Sequence, residues 1–209
     1  MSETRPEASG SYLRRQAAFT RGFMLSSRSS HIRRDLRADH GVVIRNPRKI
    51  QIDAGCWLKE GVIVDGRSDR DFGIILRAGV TIRSYSYIDA YGGSGFVEIG
   101  ENSGIGQYVY IGGNGGVHIG RDVMISGHCF IVAATHGYDP TSLIPYAHQP
   151  EERIGITIGD RAWIAANSVI ADGVTIGPGA VVGAGSVVRH SLPAGVLAAG
   201  NPAKIIRAL

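Results

Sequence analysis

The sequence predicts an all-β fold: a parallel β-solenoid of about six triangular coils, with a basic, partly helical N-terminal segment and a long loop after residue 136. Three observations predict it. From Ile158 the chain divides into hexads, IGDRAW, IAANSV, IADGVT, IGPGAV, VGAGSV and VRHSLP, each opened by an aliphatic residue. The 30 glycines are spread through 209 residues rather than clustered, as in a turn-dense chain. The rhythm fails for about twenty residues after His136 and then resumes.

The N-terminal segment carries the charge. Residues 1–40 hold eight Arg against Glu3, Glu7, Asp35 and Asp39, which accounts for the whole formal charge of +4. The remaining body is balanced, so the pI of 9.3 is not the footprint of a nucleic-acid binder, and no nucleic acid is expected as a partner. The segment reads as loosely helical and solvated. Alternatively, Phe19, Phe23, Met24 and Leu25 form an apolar face beside arginines, suited to weak contact with an anionic membrane surface or to a neighbouring subunit. No apolar run follows the basic start, and none reaches eighteen residues. Cys56 and Cys129 read as reduced core thiols. A cytoplasmic protein is expected.

The hexads form six triplets, opened by Ile52, Leu58 and Val64; Leu76, Ile82 and Ile88; Ile99, Ile105 and Ile111; Ile119, Ile125 and Ile131; Ile158, Ile164 and Ile170; and Ile176, Val182 and Val188. A period of six is neither helical nor a simple strand alternation, and glycine at this density would cost a helix about 1 kcal/mol at each position. Short strands joined by tight corners fit instead. Three hexads make one coil, the openers point inward, and each coil covers the aliphatics of the last. Coil starts at 52, 76, 99, 119, 158 and 176 leave excesses of 6, 5, 2, 21 and 0 residues over eighteen. Each excess can follow the third opener, which gathers the extra chain at one corner of a prism. The expected organisation is a basic segment over 1–45, a β-helix over 46–193 with an inserted loop at 136–155, and a tail over 194–209.

Within the interruption stands ATHGYDP, after it ITIGDRAWIAANSVIADGVTIGPGAVVGAGSVV, and near the end AGNPAKIIR. These stretches resemble the hexapeptide-repeat acyltransferases, particularly the branch that O-acetylates sugars and polysaccharides. The resemblance implies a left-handed β-helix and a homotrimer with CoA held between adjacent prisms, using acetyl-CoA as co-substrate and no metal. It implies that His136 is the general base that takes the proton of an acceptor hydroxyl. An imidazole suits the task because its ordinary pKa of about 6.5 leaves it mostly neutral at cytoplasmic pH. The resemblance also places Trp163 near the reacting acyl group, Ala166 and Ala184 beside the pantetheine arm, and Arg189, Lys204 and Arg207 near the nucleotide phosphates, which makes residues 194–209 a CoA-side tail.

Other residues carry open alternatives. His118 precedes Ile119 at a corner one coil before His136, so it either lines the acceptor pocket, orients His136, or is an exposed polar corner. Asp139 either orients His136 or opens an Asp-Pro turn. Tyr138, Tyr146 and His148 meet a sugar or pack within the loop. The asparagine that galactoside-type members carry in the coil before the histidine is not found in GQYVY. Residues 1–50 match no substrate-contacting helices. A small non-sugar or amine acceptor is the alternative substrate. A zinc hydratase of the gamma carbonic anhydrase type would need His118, His128 and His136 to converge on one metal. An inactive scaffold is the third reading.

Overall fold

The computed structural model of the protein describes residues 7–209, with side-chain surroundings from residue 16 onward; residues 1–6 of the basic segment lie outside the described residues. Strands mostly of two or three residues stack into three sheets of six, nine and seven strands, the faces of a triangular prism, all parallel but for the last strand of the nine. We name them A, B and C in the order in which each coil visits them.

Each of the six predicted triplets has its predicted register. Ile52, Leu76, Ile99, Ile119, Ile158 and Ile176 pair in succession along face A. Leu58, Ile82, Ile105, Ile125, Ile164 and Val182 do so along face B. Val64, Ile88, Ile111, Ile131, Ile170 and Val188 complete face C. All are buried, so the columns form one continuous core. Burying an aliphatic side chain of this size contributes about 1.5–3 kcal/mol against leaving it in water. That repeated gain offsets the chain entropy lost in strands this short.

The winding starts earlier than residue 46. Ile32 bridges to Ile52, Arg37–Ala38 pairs with Trp57–Leu58, and Val43–Arg45 pairs with Ile63–Asp65, so Ile32, Ala38 and Ile44 open a further coil. Helix α1 (Glu7–Ser26) packs on this first coil through small residues. Ala18 and Ser26 are buried, and a Cβ on Gly22 would lie 1.7 Å from the Leu36 carbonyl oxygen, so only glycine allows the approach. Phe19, Phe23 and Met24 are exposed, with Arg37 and Arg34 of the first coil over the two phenylalanine rings at 5.8 and 5.9 Å. At the other end Val196–Gly200 extends face B in parallel, and Ala203–Ala208 closes it antiparallel.

Corners obey one rule. On the A-to-B and B-to-C edges the third residue after each opener from Ile52 to Val182 takes positive φ, for example Gly79, Asn102 and Asp122 on one edge and Gly61, Tyr85, Tyr108 and His128 on the other. Non-glycine residues rarely hold this conformation. Along the B-to-C edge the rings of Tyr85, Tyr108 and His128 stack on one another at 5.4 and 5.1 Å. The insertions all lie on the remaining edge, C to A, as the hexad count predicts: the strands at Ile63–Asp65 and Ile74–Leu76 flank the first, and Phe130–Val132 and Ile156–Ile158 the longest.

Candidate active site

The longest insertion is anchored before it forms any surface. Ala133 N–H donates to the Gly112 carbonyl and Gly115 N–H to Ala133, while Gly173 N–H donates to the Gly155 carbonyl. A Cβ on Gly115 would meet Ala133 O at 2.8 Å and Gly155 N at 2.9 Å, so the two feet of the insertion straddle that glycine. Between them the chain forms an antiparallel pair, Thr135–His136 against Glu151–Glu152, with His136 directly opposite Glu151. The tip is organised by buried Gln149. Its side-chain amide donates to the Asp139 and Ile144 carbonyls at 3.0 and 2.9 Å, and its carbonyl accepts Asp139 N–H at 2.9 Å.

His136 therefore sits on a built hairpin. Its side chain is 58% exposed, and its Nε2 lies 3.4 Å from Glu151 Oε1. Glu151 is the more buried partner, at 19%, and its other oxygen accepts Arg153 Nε and Nη2 at 2.9 and 2.8 Å. His136 borders an open recess of about 990 Å³, lined also by Tyr138, Asp139, Tyr146, Gln149 and Glu152. Tyr138 and Tyr146 are exposed there, and His148 lies on the same loop, also exposed.

The structure separates the other histidines. His118 projects from the middle of a face A strand and meets Glu98 Oε2 at 3.5 Å, outside the lining of the recess. Asp139 does not orient His136: its Oδ1 accepts the N–H and hydroxyl of Thr141 at 2.8 and 2.7 Å, and these bonds hold its carboxyl below the usual range. His118, His128 and His136 occupy a face, the B-to-C edge and the insertion, an arrangement that does not fit one zinc ion. No group of three or more metal-ligating side chains occurs among the described residues.

The residues matched to CoA fall into two places. Trp163 stands outward on face B, 42% exposed, with its indole N–H donating to Ser126 Oγ at 3.2 Å. Ala166 and Ala184 take successive places on the adjoining B-to-C edge, joined through Gly185 N–H to the Ala166 carbonyl. Lys204 and Arg207 lie exposed on the strand that closes face B. Arg189 is apart from these, exposed just after the last strand of face C.

The sequence reading missed three groups at the insertion. Glu151 and Arg153 have no periodic signature, because they lie on a hairpin inside the interruption. Asn114 lies at the C-to-A corner of the coil before His136, in GGNGG rather than GQYVY. It is 4% exposed, and its Oδ1 is buried without a hydrogen-bond partner among the described residues.

With this geometry in place, comparison identifies the class. The family described as bacterial transferase hexapeptide, six repeats, matches residues 155–190. WbbJ of Escherichia coli (strain K12), whose assigned activity is O-acetyl transfer in lipopolysaccharide biosynthesis, is 38% identical over 172 residues, covering 79% of this chain and 81% of WbbJ. Two solved structures share the fold. AntD, an N-acyltransferase from Bacillus cereus in complex with dTDP and 3-hydroxybutyryl-CoA, aligns with a TM-score of 0.50 and 24% identity over 92% of this chain and 87% of its own. A protein from Bacillus cereus assigned as an acetyltransferase aligns at 0.54 and 20% identity over 82% and 84%. The chain belongs to the bacterial hexapeptide transferase family, and its prism is that family's left-handed parallel β-helix.

Proposed function

We propose that the protein transfers an acetyl group from acetyl-CoA to a hydroxyl of a sugar or polysaccharide precursor, with His136 as the general base. One observation carries this reading: the longest break in the prism presents an imidazole, backed by a carboxylate, at the wall of an open recess. The hydroxyl proton moves to His136 as the hydroxyl oxygen attacks the thioester carbonyl. The carbon–sulfur bond then breaks, and the proton passes from His136 to the departing thiolate. General-base assistance of this type contributes about 10²–10⁴-fold. The likeness to WbbJ supports an O-linked sugar acceptor.

The donor reading rests on face B and its edge. Ala166 and Ala184 keep that edge low enough for a thin arm to lie along it, Trp163 offers an exposed aromatic plane, and Lys204 and Arg207 are exposed cations for phosphates. Arg189 would reach the phosphates only from a different edge. Tyr138 and Tyr146 are the residues for the sugar, while His118, engaged with Glu98, is a peripheral acceptor contact at most.

Trp163 and His136 also give the reading its quaternary form. Within one chain the insertion leaves the C-to-A edge, whereas Trp163 stands on the opposite face. A site that uses both draws them from two copies, in keeping with a homotrimer. Face C supplies a surface for such packing, since its outward residues are Val43, Ile63, Tyr87, Tyr110, Phe130, Val169 and Val187. In this reading residues 194–209 serve the donor, and α1 lays Phe19, Phe23 and Met24 weakly against an anionic membrane from the cytoplasmic side. No described helix is long and apolar enough to cross a membrane.

The test is His136→Asn, which keeps much of the bulk without a basic nitrogen. Thiol release from acetyl-CoA, with sugar acceptors, should fall about 10²–10⁴-fold. An undiminished rate in a correctly folded assembly would end the proposal.

A further inference from the structure

Face B changes character along its length. One row of its outward residues runs Arg37, Trp57, Thr81, Gly104, Met124 and Trp163, each paired with the next. The middle of the face is low: a Cβ on Gly104 would meet nothing within 4 Å, and the residues after the openers there are Gly106 and Ser126. The N-terminal half is cationic. Arg37 and Lys59 lie over the Trp57 ring at 4.1 and 2.8 Å, and Arg83 stands exposed one coil further on. Elsewhere on the prism arginines meet carboxylates, as Arg77 meets Asp53 and Glu98. Arg37, Lys59 and Arg83 have no ion-pair partner among the described residues. The one carboxylate beside them on the face, Asp39, accepts the Trp57 indole N–H at 3.2 Å. Burial, joined by Arg37 and Arg83 and opposed by Asp39, holds the Lys59 ammonium below its ordinary range.

We infer that the acceptor is a saccharide that lies along face B and ends in a diphosphate held by Arg37, Lys59 and Arg83. Three cations against Asp39 leave a net charge of 3 − 1 = +2, which a diphosphate esterified at both ends neutralises. Guanidinium forks suit phosphate oxygens, and Lys59 adds a point charge. The charge is confined to one end of the face. Gly104, Gly106, Met124 and Ser126 between it and Trp163 are not ionisable, so a polymer charged at every sugar finds no match. Three coils at about 4.8 Å each put Arg83 roughly 14 Å from Trp163, and four put Lys59 roughly 19 Å away. A single hexose does not span that distance, and a short oligosaccharide does. The inference rests on the proposed acyl transfer for which end of the saccharide reacts, but the anion site can be read without it.

The experiment uses Trp57 as its own reporter, since Trp163→Phe leaves it the one indole of the full chain. In that background inorganic pyrophosphate should change the fluorescence saturably, and added salt should weaken the response. Lys59→Gln combined with Arg83→Gln should weaken pyrophosphate binding about tenfold or more, and exposed Arg83→Gln alone serves if the pair does not fold. Lys204→Gln with Arg207→Gln should leave the binding intact. Glucuronate, a sugar carboxylate, should bind far more weakly. UDP and farnesyl diphosphate share the diphosphate, and the tighter of the two tells whether a nucleoside or a lipid lies beyond it. No response to pyrophosphate, a response unaltered by loss of Lys59 and Arg83, or glucuronate binding as tight as pyrophosphate overturns the inference. Full activity of His136→Asn would instead sink the acyl-transfer reading, while the titrations still decide the anion site.

Discussion

The carboxylate of Asp172 receives the backbone N–H of Gly155 at 2.8 Å, and its second oxygen receives that of Ile154 at 2.9 Å. One side chain on the coil after the insertion thus holds the strand end that carries Glu151 and Arg153. Asp172→Ala removes the shared acceptor of two backbone donors that can turn to water, at a local cost of about 0.5–1.5 kcal/mol for each bond. The expected result is faster amide exchange confined to residues 133–155, and a lower kcat with the melting temperature of the prism little changed. Exchange that accelerates equally through all three faces would show that Asp172 supports the coil instead.

Asn114 predicts opposite effects on stability and activity. Its Oδ1 is buried and unpaired among the described residues, at the C-to-A corner of the coil before the insertion. Removing an unpaired buried carbonyl relieves a desolvation cost of about 1–3 kcal/mol. Asn114→Ala should therefore melt no lower than wild type while the KM for the acceptor rises. A lower melting temperature with an unaltered KM would make Asn114 a packing residue only.

Alkaline pH should weaken the fold in a defined window. Burial pushes the Cys56 thiol from its ordinary value of 9.0 up to about 12, and burial with Asp89 nearby pushes Tyr110 from 10.0 up to about 12. The unfolded chain releases these protons first, so the folded state holds more of them and stability falls as pH rises. The loss from Cys56 begins near pH 9 and reaches a slope of about 1.4 kcal/mol per pH unit. Denaturant titrations between pH 8 and 11 should show it, and Cys56→Ala should flatten the first part. A slope identical in that variant would assign the loss elsewhere.

Mixed assemblies test the shared site. If His136 of one copy works with Trp163 of another, co-refolding inactive His136→Asn with Trp163→Ala should restore activity at about one site in four. Measurements at low acetyl-CoA make the Trp163 defect visible. Activity equal to the average of the separate variants would place both residues' work within one chain.

Much of the architecture was legible because the inward columns repeat with a fixed spacing. The openers from Ile52 to Val188 sit in their predicted register, since a shift would turn each inward aliphatic toward water. The first coil was not legible because Ala38 opens its middle hexad and arginines surround it, so no large aliphatic marks the column. At the site, His136 was legible from the break in rhythm. Its carboxylate was not, because pairing of residue 136 with 151 comes from a hairpin register that no periodicity encodes. Of the two readings open for Asp139, the structure takes the turn: beside Pro140 its carboxylate accepts from Thr141.

Extra chain leaves and rejoins the prism along one edge alone, so the pairing of the three faces is indifferent to what that edge carries. The molecule is a rigid mast with a socket. Exchanging residues 133–155 for another prism's appendage alters what that edge presents to its surroundings without changing the pitch of the winding beneath it.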